Sequence, residues 1–258
     1  MNCKNCPTPQ RTDYNYCPAC GAKVIRNRLT LKNLWYDVTE RYFNLDNTFL
    51  RTVKMLIIRP EEVIESYLSG VRRKYLNPMS HLGIALTLSG ILLFVMQKVF
   101  RDDLFQIYNT GMSSELSAKL SEALFDYSTF MFILYIPVFA LASFVSFNKK
   151  DYVLTEHMIG FIYILSQWTI LIFPVTLIIL IFLPASYLSF SIPLSILMFP
   201  YCIYVLQRIN RFKVRSFVFR AFIFLFLSGI GYFGIVILFY IILFLTGTIS
   251  IQDFVPSK

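Results

Sequence analysis

The sequence predicts an all-α membrane protein: about five transmembrane helices preceded by a small N-terminal zinc ribbon and amphipathic interfacial helices. Three observations carry this. Hydrophobic residues make up 56% of the 258, with 26 phenylalanines among them. Long apolar runs nearly free of charge recur from residue 78 onward, the signature of membrane spans rather than of a soluble core. Two CxxC pairs sit ten residues apart at the N-terminal end. The mean hydropathy of +0.60 agrees with the first two.

The pairs Cys3-Lys4-Asn5-Cys6 and Cys17-Pro18-Ala19-Cys20 open the chain. Each can form a knuckle that aims two thiolates at one ion, and two knuckles complete the tetrahedral set of a structural zinc site. Cys3, Cys6, Cys17 and Cys20 are therefore the expected ligands of one structural Zn, in a module spanning residues 1–25. A redox role needs a thioredoxin-like fold around a single CxxC, which so short a segment does not supply. Residues 1–23 are polar and show no apolar signal-peptide core, so reduced thiols are expected. Cys202 stands alone in an apolar run and reads as packing.

Residues 26–77 form the second region, of amphipathic interfacial helices. Leu31, Leu34, Trp35, Val38, Tyr42 and Leu45 recur at helical spacing, and Asp46-Asn47 marks a break and a new cap. The next helix carries Leu50, Val53, Leu56 and Ile57 on one face. Arg59 ends it, because a residue before proline is pushed out of the α region. Pro60 then suits the first turn of another helix, with Glu61 and Glu62 where the dipole favours anions. Gly70 is placed to stop that helix, and Asn77-Pro78 reads as the cap and first residue of the next.

Residues 78–258 form the transmembrane bundle, with spans expected at about 78–99, 128–147, 157–183, 187–207 and 217–249. The uncharged run 79–96 is about 27 Å long as a helix at ~1.5 Å per residue, close to a bilayer core. Residues 101–127 are polar and helix-prone and are expected as an external amphipathic hairpin. The last run is long enough to be one tilted span or a pair broken near Gly229, Gly231 and Gly234, and one span is preferred. Those glycines match a dinucleotide fingerprint by letters only, since no strand precedes them.

The formal charge of +9 divides unevenly. Twenty of the basic residues fall before the first span, at Lys149 and Lys150, or from Arg208 to Arg220; only four fall on the other side. The positive-inside rule then places the N-terminus of this multi-pass protein in the cytoplasm.

Two groups of side chains are candidate sites. Arg59, Tyr67, Arg72, Arg73, Lys74, Tyr75 and Asn77 could fold around Gly70 to grip an anionic headgroup or phosphate, for which arginine forks are well suited. The competing reading is a juxtamembrane basic anchor. His81, Glu156 and His157, all near the inner interface, form a polar interface candidate, although each could equally serve its own loop or helix. No nucleophile–base motif and no intramembrane carboxylate pair is present, so catalytic residues are not assigned. The leading function is a non-enzymatic scaffold or translocator engaging anionic lipid headgroups or partner proteins at its cytosolic face. A small-solute or lipid transporter and a membrane enzyme acting on lipid are the alternatives. Partners are the phospholipid membrane and a protein met through the zinc ribbon; nucleic acid is disfavoured, and an oligomer is compatible with the pattern.

The N-terminal cysteine module, the motif Arg59-Pro60-x-x-Val63-Ile64-x-x-Tyr67-Leu68-x-Gly70-x-Arg72-x-x-Tyr75-x-Asn77-Pro78 and the Glu156-His157 pair together resemble a family of uncharacterised bacterial integral-membrane proteins, a domain-of-unknown-function family. The resemblance is specific around residues 48–80. It implies a zinc ribbon and a bacterial inner membrane, and it brings no activity with it.

Overall fold

The computed structural model describes residues 2, 3, 5, 6, 8, 9, 11, 13–21, 24, 45–99 and 114–249. The chain forms two compact units, residues 1–46 and 47–258. The amphipathic helix expected from Leu31 lies outside the described residues, as do residues 101–113.

The regular elements among the described residues of the larger unit are all helices. Its elements are α1 (Leu45–Ile58), α2 (Pro60–Leu68), α3 (Pro78–Val99), α4 (Ser114–Ser146), α5 (Leu154–Phe182), α6 (Tyr187–Asn210) and α7 (Val214–Leu245), with a 3₁₀ turn at Pro184–Ser186. Four stretches are long and apolar enough to cross a membrane: Pro78–Lys98, Leu154–Phe182, Ser189–Asn210 and Val214–Leu245. A shorter apolar stretch, Phe130–Ser146, is the inner part of α4. The chain is therefore a multi-pass membrane protein. Its exterior agrees: Val218, Phe219, Phe222, Phe226, Phe233 and Ile237 on α7 are all exposed, a density of apolar surface that water would not tolerate but lipid does.

Helix α5 is the centre. It packs against α3, α4 and α6, while α7 lies mainly along α4. The main core gathers Val63 and Ile64 of α2, Phe139 and Ala140 of α4, residues 161–165 of α5, Val205 and Leu206 of α6 and Phe224 of α7. It sits toward the end of the bundle where α3, α5 and α7 begin. Two smaller clusters, Phe239 and Leu243 with Ala123, and Met96 with Leu180, close the other end.

Two expectations are refined. Residues 114–127 do not form a separate external segment; they are the first turns of α4, which runs 33 residues without interruption. Nothing between Ser114 and Pro137 breaks a helix: no glycine, no proline, and a run of good helix formers. The last apolar run is likewise one helix, α7, of 32 residues, or about 48 Å at ~1.5 Å each. Of the three glycines, only Gly231 is a close approach. A Cβ there would collide with Val138 Cγ1 on α4, whereas Gly229 and Gly234 face open space. Gly231 packs, and none of the three breaks the helix.

Candidate functional site

In the N-terminal unit the four cysteines converge. Their sulfurs all lie within 4.8 Å of one another, with Cys3 Sγ 3.7 Å from Cys20 Sγ and Cys6 Sγ 3.6 Å from Cys17 Sγ. A tetrahedral ion with ~2.3 Å bonds to sulfur separates its ligands by about 3.8 Å, so the cluster has the size of a four-thiolate metal site. Cys3 and Cys17 are buried. The amide of Asn5 donates to Cys3 Sγ at 3.4 Å, the contact that steadies a thiolate in a knuckle.

In the larger unit, local chemistry builds the motif. Pro60 is the first residue of α2, and Glu61 and Glu62 occupy its first turn. Its end is a full Schellman arrangement: Gly70 N donates to Tyr67 O (3.1 Å) and Val71 N to Ser66 O (2.8 Å). Gly70 has φ +92°, which is why a glycine stands there. Asn77 Oδ1 accepts from Ser80 N at 2.7 Å and caps α3.

The acidic side chains of α2 hold it to three places. Arg208 of α6 donates from Nη2 to Glu61 Oε1 (2.6 Å) and from Nε to Glu61 Oε2 (3.1 Å), a two-pronged fit. Lys74 Nζ and Tyr75 OH both donate to Glu62 Oε1, at 2.6 and 2.8 Å. Lys150 Nζ donates to Glu65 Oε1 at 2.5 Å. Lys74 beside it holds the Glu62 carboxyl below its ordinary value, and Glu62 in turn raises Lys74. Burial raises the Tyr75 phenol, which stays a donor.

Magnitudes assign the roles. Partly exposed ion pairs contribute about 0–1 kcal/mol each, while burying an aliphatic side chain contributes roughly 1.5–3. Val63 and Ile64 are 0% and 1% exposed. The apolar face therefore holds α2 down, and the carboxylates set its orientation.

Of the residues expected to form a headgroup clamp, Lys74, Tyr75 and Asn77 are thus engaged within the protein. Arg72 lies over the Tyr67 ring, 5.5 Å from its centroid. Arg59 and Arg73 are exposed. Arg59, Arg72 and Arg73 have no ion-pair partner among the described residues.

The three residues of the polar interface candidate do not share one environment. Glu156 Oε2 accepts from Val153 N at 2.8 Å, capping its own helix. His157 Nδ1 meets Ser143 Oγ at 2.9 Å. His81 is fully buried, packed against Tyr163 and Phe49, and neither ring nitrogen has a hydrogen-bond partner among the described residues.

Beneath α1 lies a set of contacts that sequence reading missed. The carbonyls at the end of α1 have no helical partner, and side chains of the bundle supply donors. Tyr201 OH donates to Leu56 O (3.1 Å), and Tyr204 OH to Ile57 O (3.0 Å) and Ile58 O (3.1 Å), while Gln167 Nε2 donates to Val53 O (3.1 Å), a carbonyl one turn earlier, inside the helix's own ladder. Tyr163 OH donates to Leu76 O at 2.6 Å. A polar residue within an apolar span is the signal that could have found Gln167. Tyr201 and Tyr204, three apart on α6, give a weaker one.

A family model described as "Protein of unknown function (DUF3667)" matches residues 46–90. These run from α1 through the first half of α3 and include the whole motif and His81. No curated protein and no solved structure matches the chain. Over that stretch the chain is similar to an uncharacterised family, and the match takes in α2 itself and the loop that closes onto Glu62.

Proposed function

We propose that this is a protein of a bacterial inner membrane, with a cytosolic N-terminus, that works without catalysis as a scaffold or translocator. Its cytosolic face binds anionic lipid headgroups, with Arg59, Arg72 and Arg73 as the contacts and Tyr67, Lys74, Tyr75 and Asn77 shaping their frame. One observation carries this reading: Lys74 is neutralised internally, while Arg59 ahead of α2 and Arg72 and Arg73 in the loop after it are exposed. A basic side chain near an anionic leaflet is worth roughly 1 kcal/mol, so Arg72 and Arg73 together correspond to about a tenfold or greater preference. Reconstituted in bilayers of mixed phosphatidylglycerol and phosphatidylcholine, the wild-type protein is expected to enrich phosphatidylglycerol around itself. Arg72→Ala with Arg73→Ala should lose most of that preference; an unchanged preference would refute the proposal.

The cysteine cluster is proposed to hold one structural zinc ion. Its sulfur spacing supports four thiolate ligands with no open position, hence a folding rather than a chemical role. Metal analysis of the purified protein should find one equivalent per chain. Cys17→Ser should release the metal without disturbing the membrane unit, and a clearly substoichiometric metal content in the wild type would exclude the site.

A further inference from the structure

At the end of the bundle where α5 and α7 begin, a cleft of about 360 Å³ is lined by Glu65, Lys149, Lys150, Ile209, Asn210 and Arg211. That volume is in the range of small-ligand sites, roughly 300–1,000 Å³. Its cations come from two loops, the one joining α4 to α5 and the one joining α6 to α7, and both loops are fixed from within. Asn148 and Tyr152 exchange two hydrogen bonds, Nδ2 to Tyr152 O (2.9 Å) and Tyr152 N to Oδ1 (2.8 Å). Gln207 ties down Phe212, donating from Nε2 to its carbonyl at 2.8 Å and accepting from its amide at 3.3 Å. The loops are also joined to each other: Lys149 N donates to Asn210 Oδ1 at 3.1 Å, and the rings of Phe147 and Phe212 pack at 6.0 Å.

The charges in this rigid frame do not balance. Three cations face one carboxylate, and Glu65 is already taken by Lys150. Lys149 and Arg211 have no ion-pair partner among the described residues. Lys149 Nζ has only a carbonyl, Arg211 O at 3.4 Å, and the Phe212 ring beneath it. Arg211 holds φ +49°, a conformation that a residue other than glycine adopts at some cost. The left-handed Arg211 caps the end of α6, but a merely solvated basic loop does not need the cross-loop hydrogen bond that brings two like charges together. The net +2 of the lining matches the charge of a phosphate monoester near neutral pH, and Lys150 keeps donors to spare beyond the one that Glu65 accepts.

We propose that this cleft binds a phosphate monoester group, with Lys149 and Arg211 as its principal ligands and Lys150 as a third donor. The group is either the headgroup of a phosphatidate lipid or a soluble phosphate. Neither Arg72 nor Arg73 lines the cleft, so it can hold or fail independently of the headgroup contacts proposed above.

The test uses the full-length protein in phosphatidylcholine nanodiscs, with and without a small fraction of phosphatidate, and titrates inorganic phosphate into the phosphatidate-free sample. Binding to phosphatidate but not inorganic phosphate assigns the lipid source, and binding to both assigns the phosphate group itself. Binding to neither overturns the proposal. Lys149→Met with Arg211→Asn should weaken the interaction at least tenfold, while Arg72→Ala with Arg73→Ala should leave it unchanged. Asparagine tolerates the left-handed backbone, so the loop is retained. As a variant that removes no ligand, Glu65→Gln should tighten binding severalfold by taking a negative charge from the cleft. Wild-type affinity in the Lys149/Arg211 variant, or weaker binding in Glu65→Gln with its melting temperature unchanged, would each contradict the site.

Discussion

Glu62 shows how much one side chain does here. It accepts from Lys74 and Tyr75 at once, closing the loop after α2 back onto the helix. Its carboxyl is held below the ordinary value of 4.5, so its contribution is present above that pH and is lost as the pH falls through the lowered folded value. Lys74, raised above 10.5, and Tyr75, raised above 10.0, contribute below those values and are lost as the pH rises beyond them. The loop should therefore be most stable between about pH 5 and 10. In detergent, the melting temperature of the wild type should drop by a few degrees from pH 7 to pH 4. Glu62→Gln should lower it at pH 7 and flatten that acid limb. An equally steep limb in the variant would show that Glu62 is not its source. His81 is a different case: the structure buries it without a partner among the described residues, and no proposed role rests on it.

At the scale of elements, the short segments were the legible ones. Pro60, Gly70 and Asn77 act on backbone within a few residues, so capping chemistry read from sequence placed both ends of α2 and the start of α3 where the structure has them. The staples of α2 were not legible. Glu65 and Lys150 are 85 positions apart, and Glu61 and Arg208 are 147 apart; every acidic and basic residue of the chain was an equal candidate until the fold chose. The basic residues therefore read as a free cluster, when part of that charge serves α2. Hydropathy also found the apolar part of α4 but not its polar beginning, since a helix continues through polar residues wherever nothing breaks it. Between α4 and α7 the close approach is at Gly231. Gly231→Ala should destabilise the protein by about 1–3 kcal/mol through overpacking against Val138, whereas Gly229→Ala, facing open space, should be neutral or stabilise by up to about 1 kcal/mol through helix propensity. Detergent-resistance midpoints of the two variants check this, and equal effects would place the helix contact elsewhere.

For the whole molecule, burial and charge gather at the same end. The main core, the docked α2, the arginines of the motif loop and the cleft between the two loops all lie where α3, α5 and α7 begin. Arg220 marks the depth of that end, donating from Nη1 to Ser146 O at 2.6 Å and lying over the Phe212 ring at 4.3 Å. The apolar part of α7 therefore starts beyond it, and the remaining 25 residues to Leu245 span about 38 Å at ~1.5 Å each, which a core of ~30 Å accommodates with a steep tilt of about 37°. The orientation we propose puts this end in the cytosol, where an anionic leaflet would lie within reach of the arginines. Both proposed phosphate contacts take their setting from that orientation. It is tested most directly by joining a fluorescent reporter that matures only in the cytoplasm to the chain truncated after Lys213 or after Ser186. The account predicts fluorescence from the Lys213 fusion and none from the Ser186 fusion. The opposite pattern would put the clamped α2 end outside the cell and contradict it.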